Sequence, residues 1–428
     1  MDSARLTEHL PHITGLQCVI CGAMYSLDDV MYTCPTCGPV GTLDVLYRGG
    51  AHRYEAETGL LTMWQQPDIL PAVPPVGLQK LGGTTLLGPE SLTKLAAEIG
   101  VAELYIKHDG LNMTGSLKDR ASAMVVAHAV QNLGRQVIAT ASTGNAAAAL
   151  AGVCASVPGA QGAQAVIFAP ATAPEGKIAQ MVVFGANVIL VNADYDTAFD
   201  LCGAACDEFG WYNRSTGINP FTSEGKKTVA LEIAMQLKYQ LPDVIVVSVG
   251  DGSIIGGVHK GLVDMQRQGW IDKVPRLIGV QAAGSDALVY AWEKGLTATE
   301  MQDRPANTIA DSISSRLPRD RAKALRAVRQ TNGAFIRVTD EQILAAIPAL
   351  ARGSGVFAEP AAAATFAALK PALAAGMIHP HEQTLLLVTG TGLKDVRSAM
   401  VSVNSEKPPV VEPSLEAVRH QVKNWQIA

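Results

Sequence analysis

Thr-Gly-Ser-Leu-Lys-Asp-Arg, residues 114–120, joins a predicted strand to a predicted helix. The strand-like run is residues 104–107, and apolar residues at helical spacing begin at Ala121. Lys118 therefore falls in the first turn of the helix. The positive end of the helix dipole disfavours an ammonium group there and lowers its pKa. A neutral amine of this kind can attack an aldehyde, whereas the alternative is an ordinary solvated lysine at a helix start.

Strands and helices alternate along the chain around this stretch. Such alternation predicts an α/β fold with parallel sheets covered by helices on both faces. Residues 38–75 contain several prolines and are predicted to form an irregular arm. The predicted strands are residues 104–107, 137–141, 165–169, 188–191, 211–213, 243–249 and 384–388, and the predicted helices are residues 92–99, 144–155, 176–184 and 200–209.

Composition limits the classes of partner. The chain has 428 residues, 48% of them hydrophobic and 17% charged, which is enough apolar material for large cores. A net charge of −5 and the lack of a basic block argue against nucleic acid and anionic membranes. No apolar run approaches the roughly 18 residues of a membrane span. The N-terminus does not resemble a signal peptide, so we expect a cytoplasmic protein.

Four cysteines are spaced as two metal-binding knuckles. Cys18 and Cys21 form one Cys-x-x-Cys pair, and Cys34 and Cys37 form the second. Four thiolates satisfy the tetrahedral coordination of a structural Zn²⁺ ion and leave no open position for water. We therefore predict a structural zinc site, with reduced turn cysteines or a redox pair as alternatives. The other three cysteines lie in Ala-rich helical surroundings and are predicted core residues.

Two further junctions between a strand and a helix have the composition of anion sites. The turn Ser142-Thr143-Gly144-Asn145 offers backbone N–H groups and hydroxyls at a helix start, although a simple helix cap by Ser142 or Thr143 is the alternative. Glycines at residues 250–257 leave amides unobstructed, as a phosphate loop requires. Their spacing matches neither a dinucleotide nor a nucleoside triphosphate loop, so we predict a monophosphate site. At a third junction, Thr389 could hydrogen-bond a ring nitrogen or cap the next helix.

Seven motifs together resemble those of threonine synthases, which belong to the tryptophan-synthase-β-like, fold-type-II family of pyridoxal-phosphate enzymes. The resemblance covers about residues 75–400 in the same order, and the four-cysteine N-terminus is similar to that of some threonine synthases and cysteate synthases. The motifs are residues 114–120, Ser-Thr-Gly-Asn (142–145), Ala-Pro-Glu-Gly-Lys-Ile-Ala-Gln (173–180), Asn-Pro-x-x-x-Glu-Gly-Lys-Lys-Thr (219–228), Gly-Val-Gln-Ala (279–282), Glu-Pro-Ala (359–361) and Thr-Gly-x-Gly-Leu-Lys-Asp (389–395).

The resemblance implies roles for individual residues. Lys118 would carry the cofactor's aldehyde carbon and move protons at the substrate Cα, and Asn145 would bond the cofactor's phenolic oxygen. The neutral Thr389 would meet the pyridine nitrogen, which favours elimination and addition. Ser142, Thr143, Gly144 and Asn145 would hold the substrate carboxylate, and Gly250, Asp251, Gly252, Ser253 and Ile254 would bind the cofactor phosphate.

The resemblance also implies a domain plan with two doubly wound α/β domains. A zinc-ribbon-like segment with an arm would occupy residues 1–60, and a large cofactor-binding domain would take residues 61–119 and 215–400. A small α/β domain would occupy residues 120–214, and residues 401–428 would form a tail. We expect an amino-acid substrate and a homodimer.

In the family's characteristic reaction, O-phosphohomoserine loses phosphate from Cγ and water adds at Cβ to give threonine. This chain departs from the family pattern, with Asp200 and Thr222 where many members carry basic residues, Leu117 in place of an aromatic residue and Thr85 in place of proline. Losing two cations predicts weaker binding of a substrate phosphate if both positions face the cleft. A β-replacement synthase similar to cysteate synthase and a serine/threonine dehydratase are therefore alternatives. A non-catalytic binding protein is a third, which the intact Lys118 disfavours.

Overall fold

The computed structural model describes residues 6–55, 61–158, 162–173, 175–403 and 408–425, with only the backbone described at residues 175–177. The first of its three sheets is antiparallel, in the order β2-β1-β3. This sheet corrects our prediction of an irregular arm, because β3 lies within residues 38–75 and pairs with β1 along its length. The strands are β1 (Ile13–Cys18), β2 (Met24–Tyr25) and β3 (Leu43–Tyr47).

The second sheet has six strands in the order β12-β11-β10-β13-β5-β4. All neighbours are parallel except β4, which runs antiparallel to β5 at one edge. The four central strands are rich in Val, Leu and Ile, because helices cover both faces of the sheet. The strands are β4 (Leu86–Leu87), β5 (Glu103–His108), β10 (Val244–Ser248), β11 (Arg276–Ala282), β12 (Ala334–Val338) and β13 (Gln383–Val388), and β6–β9 form the third sheet.

The third sheet is inserted between β5 and β10 of the second. Its four strands are parallel, in the order β8-β7-β6-β9. The strands are β6 (Val137–Ala141), β7 (Gln164–Pro170), β8 (Asn187–Val191) and β9 (Tyr212–Asn213), each within two residues of a predicted strand. The chain thus has the predicted mixed α/β fold with two separate parallel sheets. The exact division into domains stays a prediction.

The helices flank the two parallel sheets, and α7 and α8 pack closely on each other. The helices are α1 (Leu6–His9), α2 (Pro89–Ile99), α3 (Lys118–Ala127), α4 (Asn145–Ala155), α5 (Glu175–Val183), α6 (Tyr195–Phe209), α7 (Phe221–Gln236), α8 (Ser253–Arg267), α9 (Ala287–Glu293), α10 (Arg321–Gln330), α11 (Asp340–Ser354), α12 (Pro360–Ala367), α13 (Leu369–Ala374), α14 (Val396–Ser402) and α15 (Leu415–Trp425). None of those described is both long and apolar enough to span a membrane.

Some predicted regions extend beyond the described residues. The N-terminal segment includes residues 1–5 and 56–60, the tail includes residues 404–407 and 426–428, and Pro174 of the motif at 173–180 also lies outside the described part. Within the described part, α15 has no buried residue. The tail helix therefore contributes nothing to the hydrophobic core of this chain.

Candidate active site

A cavity of about 800 Å³ lies where strands of both parallel sheets end. Its walls include the residues that follow β6, β10 and β13, which are the carboxyl ends of parallel strands. Ligands of open α/β sheets bind at such ends. The cavity contains every predicted site residue outside the cysteine cluster, namely Lys118, Ser142, Thr143, Gly144, Asn145, Gly250, Asp251, Gly252, Ser253, Ile254 and Thr389.

Lys118 is the first residue of α3. The residue is half-buried and lines the cavity. The Leu117 N–H donates to the Thr389 carbonyl at 2.9 Å, which holds the start of α3 against the end of β13. Burial lowers the pKa of Lys118, and the Arg214 guanidinium lowers it further although the Glu359 carboxylate opposes both. A larger share of neutral amine is therefore available for nucleophilic chemistry than at an exposed lysine.

The glycine loop between β10 and α8 forms one wall. Gly252 is the residue before α8 and has φ = +87°, a left-handed conformation that favours glycine. A Cβ atom on Gly250 would lie 2.8 Å from Cα of Ile313, so the close approach of two backbones also requires glycine there. Ser253 and Ile254 place the first turn of α8 at the cavity. The N–H groups of a first turn have no intrahelical acceptor and suit a phosphate.

Asp251 is a special case within this loop. Its carboxylate accepts from the Ser315 hydroxyl at 3.2 Å and the Arg319 N–H at 3.4 Å. Burial raises the pKa of this carboxyl group. Because a carboxylate repels a phosphate, we infer that only the backbone of Asp251 is suited to the phosphate-binding role predicted for it.

The turn at residues 142–145 does not cap its helix with a side chain. Gly144 is the residue before α4, and no side chain caps the helix there, so the alternative of a cap by Ser142 or Thr143 is wrong. The Ser142 hydroxyl instead accepts the Gly144 N–H at 3.2 Å. A Cβ atom on Gly144 would meet nothing within 4 Å, which shows open space above this turn. The start of α4 is thus free to receive an anionic group.

Glu359 is a functional candidate that residue-by-residue reading missed. The Asn145 amide donates to both Glu359 carboxylate oxygens, at 3.0 and 2.9 Å. A Cβ atom on Gly390 would lie 2.4 Å from the Glu359 carboxylate, so the glycine makes room for it. Burial raises the pKa of Glu359 although the Lys118 ammonium opposes this. The Glu-Pro-Ala motif was the only signal in the sequence.

Several cations line the cavity, which corrects our expectation of a substrate side poor in positive charge. Asp200 lines the cavity, whereas Thr222 does not. Thr222 is buried, and its hydroxyl donates to the Asn219 carbonyl at 2.8 Å. Basic residues at unexpected positions, Arg214 and Lys226 among them, line the same walls. The cavity therefore contains cations suited to phosphate even though Asp200 and Thr222 replace basic residues of the family.

Lys226 projects from α7 toward the start of α8. Its ammonium donates to the Ser253 hydroxyl and lies 3.5 Å from the Thr216 hydroxyl. Burial lowers the pKa of Lys226 to about 7, and the Arg214 guanidinium acts in the same direction. A bound phosphate would favour the charged ammonium and raise this pKa.

The four knuckle cysteines converge at one point, with all sulfur atoms within 4.8 Å of one another. Cys21 and Cys34 have sulfurs 3.8 Å apart, close to the spacing of about 3.8 Å that tetrahedral Zn–S bonds of about 2.3 Å imply. The Ile20 and Cys37 N–H groups donate to cysteine sulfurs at 3.4 Å. These donors stabilise thiolates, so the cluster has the chemistry of a metal site.

The second knuckle also reaches the cavity. Pro39, between Cys37 and Gly41, is one of the cavity-lining residues. A Cβ atom on Gly41 would lie 2.5 Å from Cβ of Cys37 and 2.8 Å from Cβ of Cys34, so the turn is closely packed. The position of Pro39 in the cavity wall thus depends on how the knuckle is folded.

The residues in the cavity fit pyridoxal phosphate. Among the described residues that line the cavity, two buried polar groups lack hydrogen-bond partners, namely the Ser248 hydroxyl and Nη2 of Arg214. Buried polar atoms are rarely left unpaired, so a polar ligand is expected. Lys118 could bond the aldehyde carbon, the first turn of α8 could hold the phosphate, and Thr389 could meet the ring nitrogen.

The fold and site define a class of enzyme. Residues 78–390 match the family described as pyridoxal-phosphate dependent enzymes, and the chain belongs to that family. Within it, the chain is 38% identical to a threonine synthase of Methanosarcina acetivorans over 95% of this chain and 98% of that protein. It is 35% identical to a threonine synthase of Methanocaldococcus jannaschii over 95% of this chain and 99% of that protein. The chain is thus a pyridoxal-phosphate-dependent lyase related to threonine synthases.

Solved structures have the same fold at lower identity. A threonine deaminase from Solanum lycopersicum superposes with a TM-score of 0.65 at 21% identity, covering 83% of this chain and 97% of that one. A diaminopropionate ammonia lyase from Escherichia coli superposes with a TM-score of 0.62 at 19% identity, covering 75% of this chain and 87% of that one. These structures confirm the fold-type-II architecture predicted from the motifs.

Proposed function

We propose that the protein is a threonine synthase, which converts O-phosphohomoserine and water to threonine and phosphate. The observation that carries the proposal is the meeting of Lys118, the α8 phosphate loop and additional cations in one cavity. The threonine synthase relatives match over nearly their whole length. A substrate with a phosphate ester needs such cations, whereas serine and threonine, which are substrates of dehydratases, carry no phosphate.

In this proposal, the bound cofactor supplies an electron sink next to the substrate's amino group. Lys118 moves the proton at Cα, for which its lowered pKa is suited. The turn at residues 142–145 holds the substrate carboxylate and orients Cα toward Lys118. Overall, Cγ loses phosphate and gains a proton, while Cβ loses a proton and gains the hydroxyl of water.

Glu359 acts in this proposal as a positioning residue. Its carboxylate holds the Asn145 amide through two hydrogen bonds and influences the pKa of Lys118. The predicted bond from Asn145 to the cofactor's phenolic oxygen would have to compete with this contact. Glu359 thereby links the start of α4 to the lysine at the start of α3.

A panel of substrates tests the proposed activity. The purified protein loaded with cofactor is incubated with O-phosphohomoserine, O-phosphoserine, serine and threonine, and phosphate, threonine and keto acid are measured. We expect threonine and phosphate in equal amounts from O-phosphohomoserine alone. Keto acid from serine or threonine would instead identify a dehydratase. Phosphate release from O-phosphoserine that needs an added nucleophile would identify a β-replacement synthase.

We further propose that the cluster of Cys18, Cys21, Cys34 and Cys37 binds one structural zinc ion. The sulfur spacing and the N–H···S bonds support this, and four thiolates leave no open coordination position. The zinc would fix the knuckle that carries Pro39 into the cavity wall.

The zinc proposal predicts one zinc per chain by elemental analysis. Cys34→Ser should lower the metal content and the unfolding temperature while the cofactor's visible absorption is retained, because the cluster is separate from Lys118. Cys154→Ser, at a buried cysteine outside the cluster, is the control for the loss of a core thiol and should keep its zinc. Wild-type protein with no zinc, or with iron instead, would contradict the proposal.

Lys226 predicts a pH dependence for cofactor binding. A bound phosphate should raise its pKa from about 7, so the affinity of the apoprotein for pyridoxal phosphate should fall by up to about tenfold per pH unit above 7. The Lys226→Met variant should bind pyridoxal phosphate less tightly, and its affinity should no longer fall in this way with pH. Pyridoxal, which has the aldehyde but no phosphate, is the control ligand. Equal pH dependence for both ligands would show that Lys226 does not contact the phosphate.

We also propose a cytoplasmic homodimer. All seven cysteines are free, as is usual in a reducing compartment. Exposed apolar side chains on α5 and β8, among them Val182, Val183 and Leu190, support contact with a second copy. Sedimentation equilibrium measures the mass directly.

A further inference from the structure

Arg214 is a buried cation without an anionic partner. It directly follows β9, its side chain is fully buried, and it lines the cavity. Its Nε donates to the Ser122 hydroxyl at 3.1 Å and Nη1 to the Thr216 hydroxyl at 3.3 Å, while Nη2 has no partner among the described residues. Arg214 forms no ion pair with any of the described residues, and the Asp119 carboxylate attracts its charge only from beyond ion-pair distance. The guanidinium is thus positioned by two neutral hydroxyls, and no carboxylate in the described part of the chain bonds to it.

The other arginines that line the cavity differ from Arg214 in their contacts. Arg321 is half-buried, and its Nε and Nη1 donate to the Ala298 and Pro318 carbonyls at 2.7 and 3.1 Å. Arg319 lies 3.4 Å from Asp196 and packs over the Phe199 ring, and Arg316 lies 2.9 Å from Asp303. These side chains are also partly exposed to solvent. Burying an unpaired charge is costly, and the cost is offset when an anion binds. The structure therefore indicates an anion at Arg214 rather than at the paired arginines.

Two phosphate groups take part in the proposed reaction, and two buried cations are available for them. Lys226 contacts Ser253 at the start of α8 and so belongs to the loop suited to the cofactor phosphate. Arg214 is instead hydrogen-bonded to Ser122 of α3, the helix that begins with Lys118. Thr216 is hydrogen-bonded to both cations and separates them.

We propose that Arg214 binds the phosphate of the substrate and makes the enzyme specific for amino acids with a γ-phosphate ester. This inference rests on the proposed function and deepens it. The C–O bond at Cγ breaks with its electron pair going to the phosphate oxygen, so negative charge grows on the leaving phosphate. A guanidinium with free N–H groups stabilises that charge in a site where water does not compete.

Kinetics of Arg214→Gln and Arg214→Lys, both loaded with cofactor, test the inference. Arg214→Gln should lower kcat/KM for O-phosphohomoserine by about 10²- to 10³-fold, and Arg214→Lys should recover part of the loss. Inorganic phosphate should inhibit wild type competitively and inhibit Arg214→Gln at least about tenfold more weakly. The affinity for pyridoxal phosphate and the spectral change on binding threonine, which has no phosphate, should stay within about twofold of wild type. Arg337→Gln, at the surface, is the matched control.

The outcomes separate this inference from the proposed function. Unchanged kcat/KM in Arg214→Gln, or a large loss of cofactor affinity with KM unchanged, would overturn the inference and, in the second case, place Arg214 at the cofactor phosphate. If wild type does not turn over O-phosphohomoserine, the proposed function is wrong. Loss of phosphate binding in Arg214→Gln would then still support an anion site at this residue, because that measurement does not depend on turnover.

Discussion

Replacing Lys118 with alanine should abolish turnover and remove the visible absorption that borohydride bleaches in the wild-type protein. Lys118 lines the cavity at the start of α3, and burial lowers its pKa, so it is the amine suited to bond the cofactor's aldehyde. Loss of a covalent and proton-moving group predicts a decrease in kcat of more than about 10³-fold. Absorption spectra and the threonine assay measure both effects.

Two controls accompany this experiment. Lys294→Ala removes an exposed lysine after α9 and should leave the spectrum and kcat unchanged. Lys226→Ala removes a second buried cavity lysine and should weaken cofactor binding without removing the borohydride-sensitive band at saturating cofactor. If the band persists in Lys118→Ala and disappears in Lys226→Ala, the lysine assignment is wrong.

Replacing Arg120 with methionine should be the most destabilising single change outside the hydrophobic core. Arg120 is fully buried and forms ion pairs with Asp109 at 2.7 Å and Glu232 at 2.5 Å. Lys107 adds a bond to Glu232 at 2.9 Å. Removing Arg120 leaves the Asp109 carboxylate without its ion pair and Glu232 with Lys107 alone. Breaking a buried ion pair in this way costs about 3–5 kcal/mol of unfolding free energy.

This network also connects the fold to the site. Arg120 is two residues after Lys118, and its partners lie on α7 and directly after β5. Arg120→Met should therefore shift the midpoint of urea denaturation strongly and reduce cofactor occupancy secondarily. The matched control is Arg337→Met, which removes partly exposed ion pairs with Glu293 and Asp286 and should cost no more than about 1 kcal/mol. Equal midpoints for the two variants would show that Arg120 stabilises the fold no more than a surface ion pair does.

Much of the fold could be predicted because its signals are local. Buried parallel strands are continuous apolar runs, and the strand at residues 137–141 was predicted at its observed bounds. Small-residue turns after strands likewise marked the cavity walls at residues 142–145 and 250–254. By contrast, β3 was missed because the prolines and glycines around it suggested irregular structure. Its partner β1 is distant in the sequence.

The residues missed in the site depend on tertiary contacts. Arg214 follows a two-residue strand and has no sequence context that marks it as a ligand-binding residue. Its role becomes visible only in the fold, where Ser122 of α3 positions the guanidinium and none of the described residues bonds to its Nη2. Lys226 lies in a helix that is buried on all sides, where apolar periodicity is weak and a lysine appears unremarkable. The sequence pattern alone could not show whether Asp200 and Thr222 face the cavity. The fold shows that Asp200 lines it and Thr222 does not.

The central claim is that phosphate leaves from Cγ and water adds at Cβ. Running the reaction with O-phosphohomoserine in water enriched in oxygen-18 tests this claim directly by mass spectrometry of both products. We predict one heavy oxygen in the hydroxyl of threonine and none in the released phosphate, because the C–O bond breaks and the bridging oxygen leaves with phosphorus. Heavy oxygen in the phosphate together with homoserine would instead show simple ester hydrolysis and contradict the account.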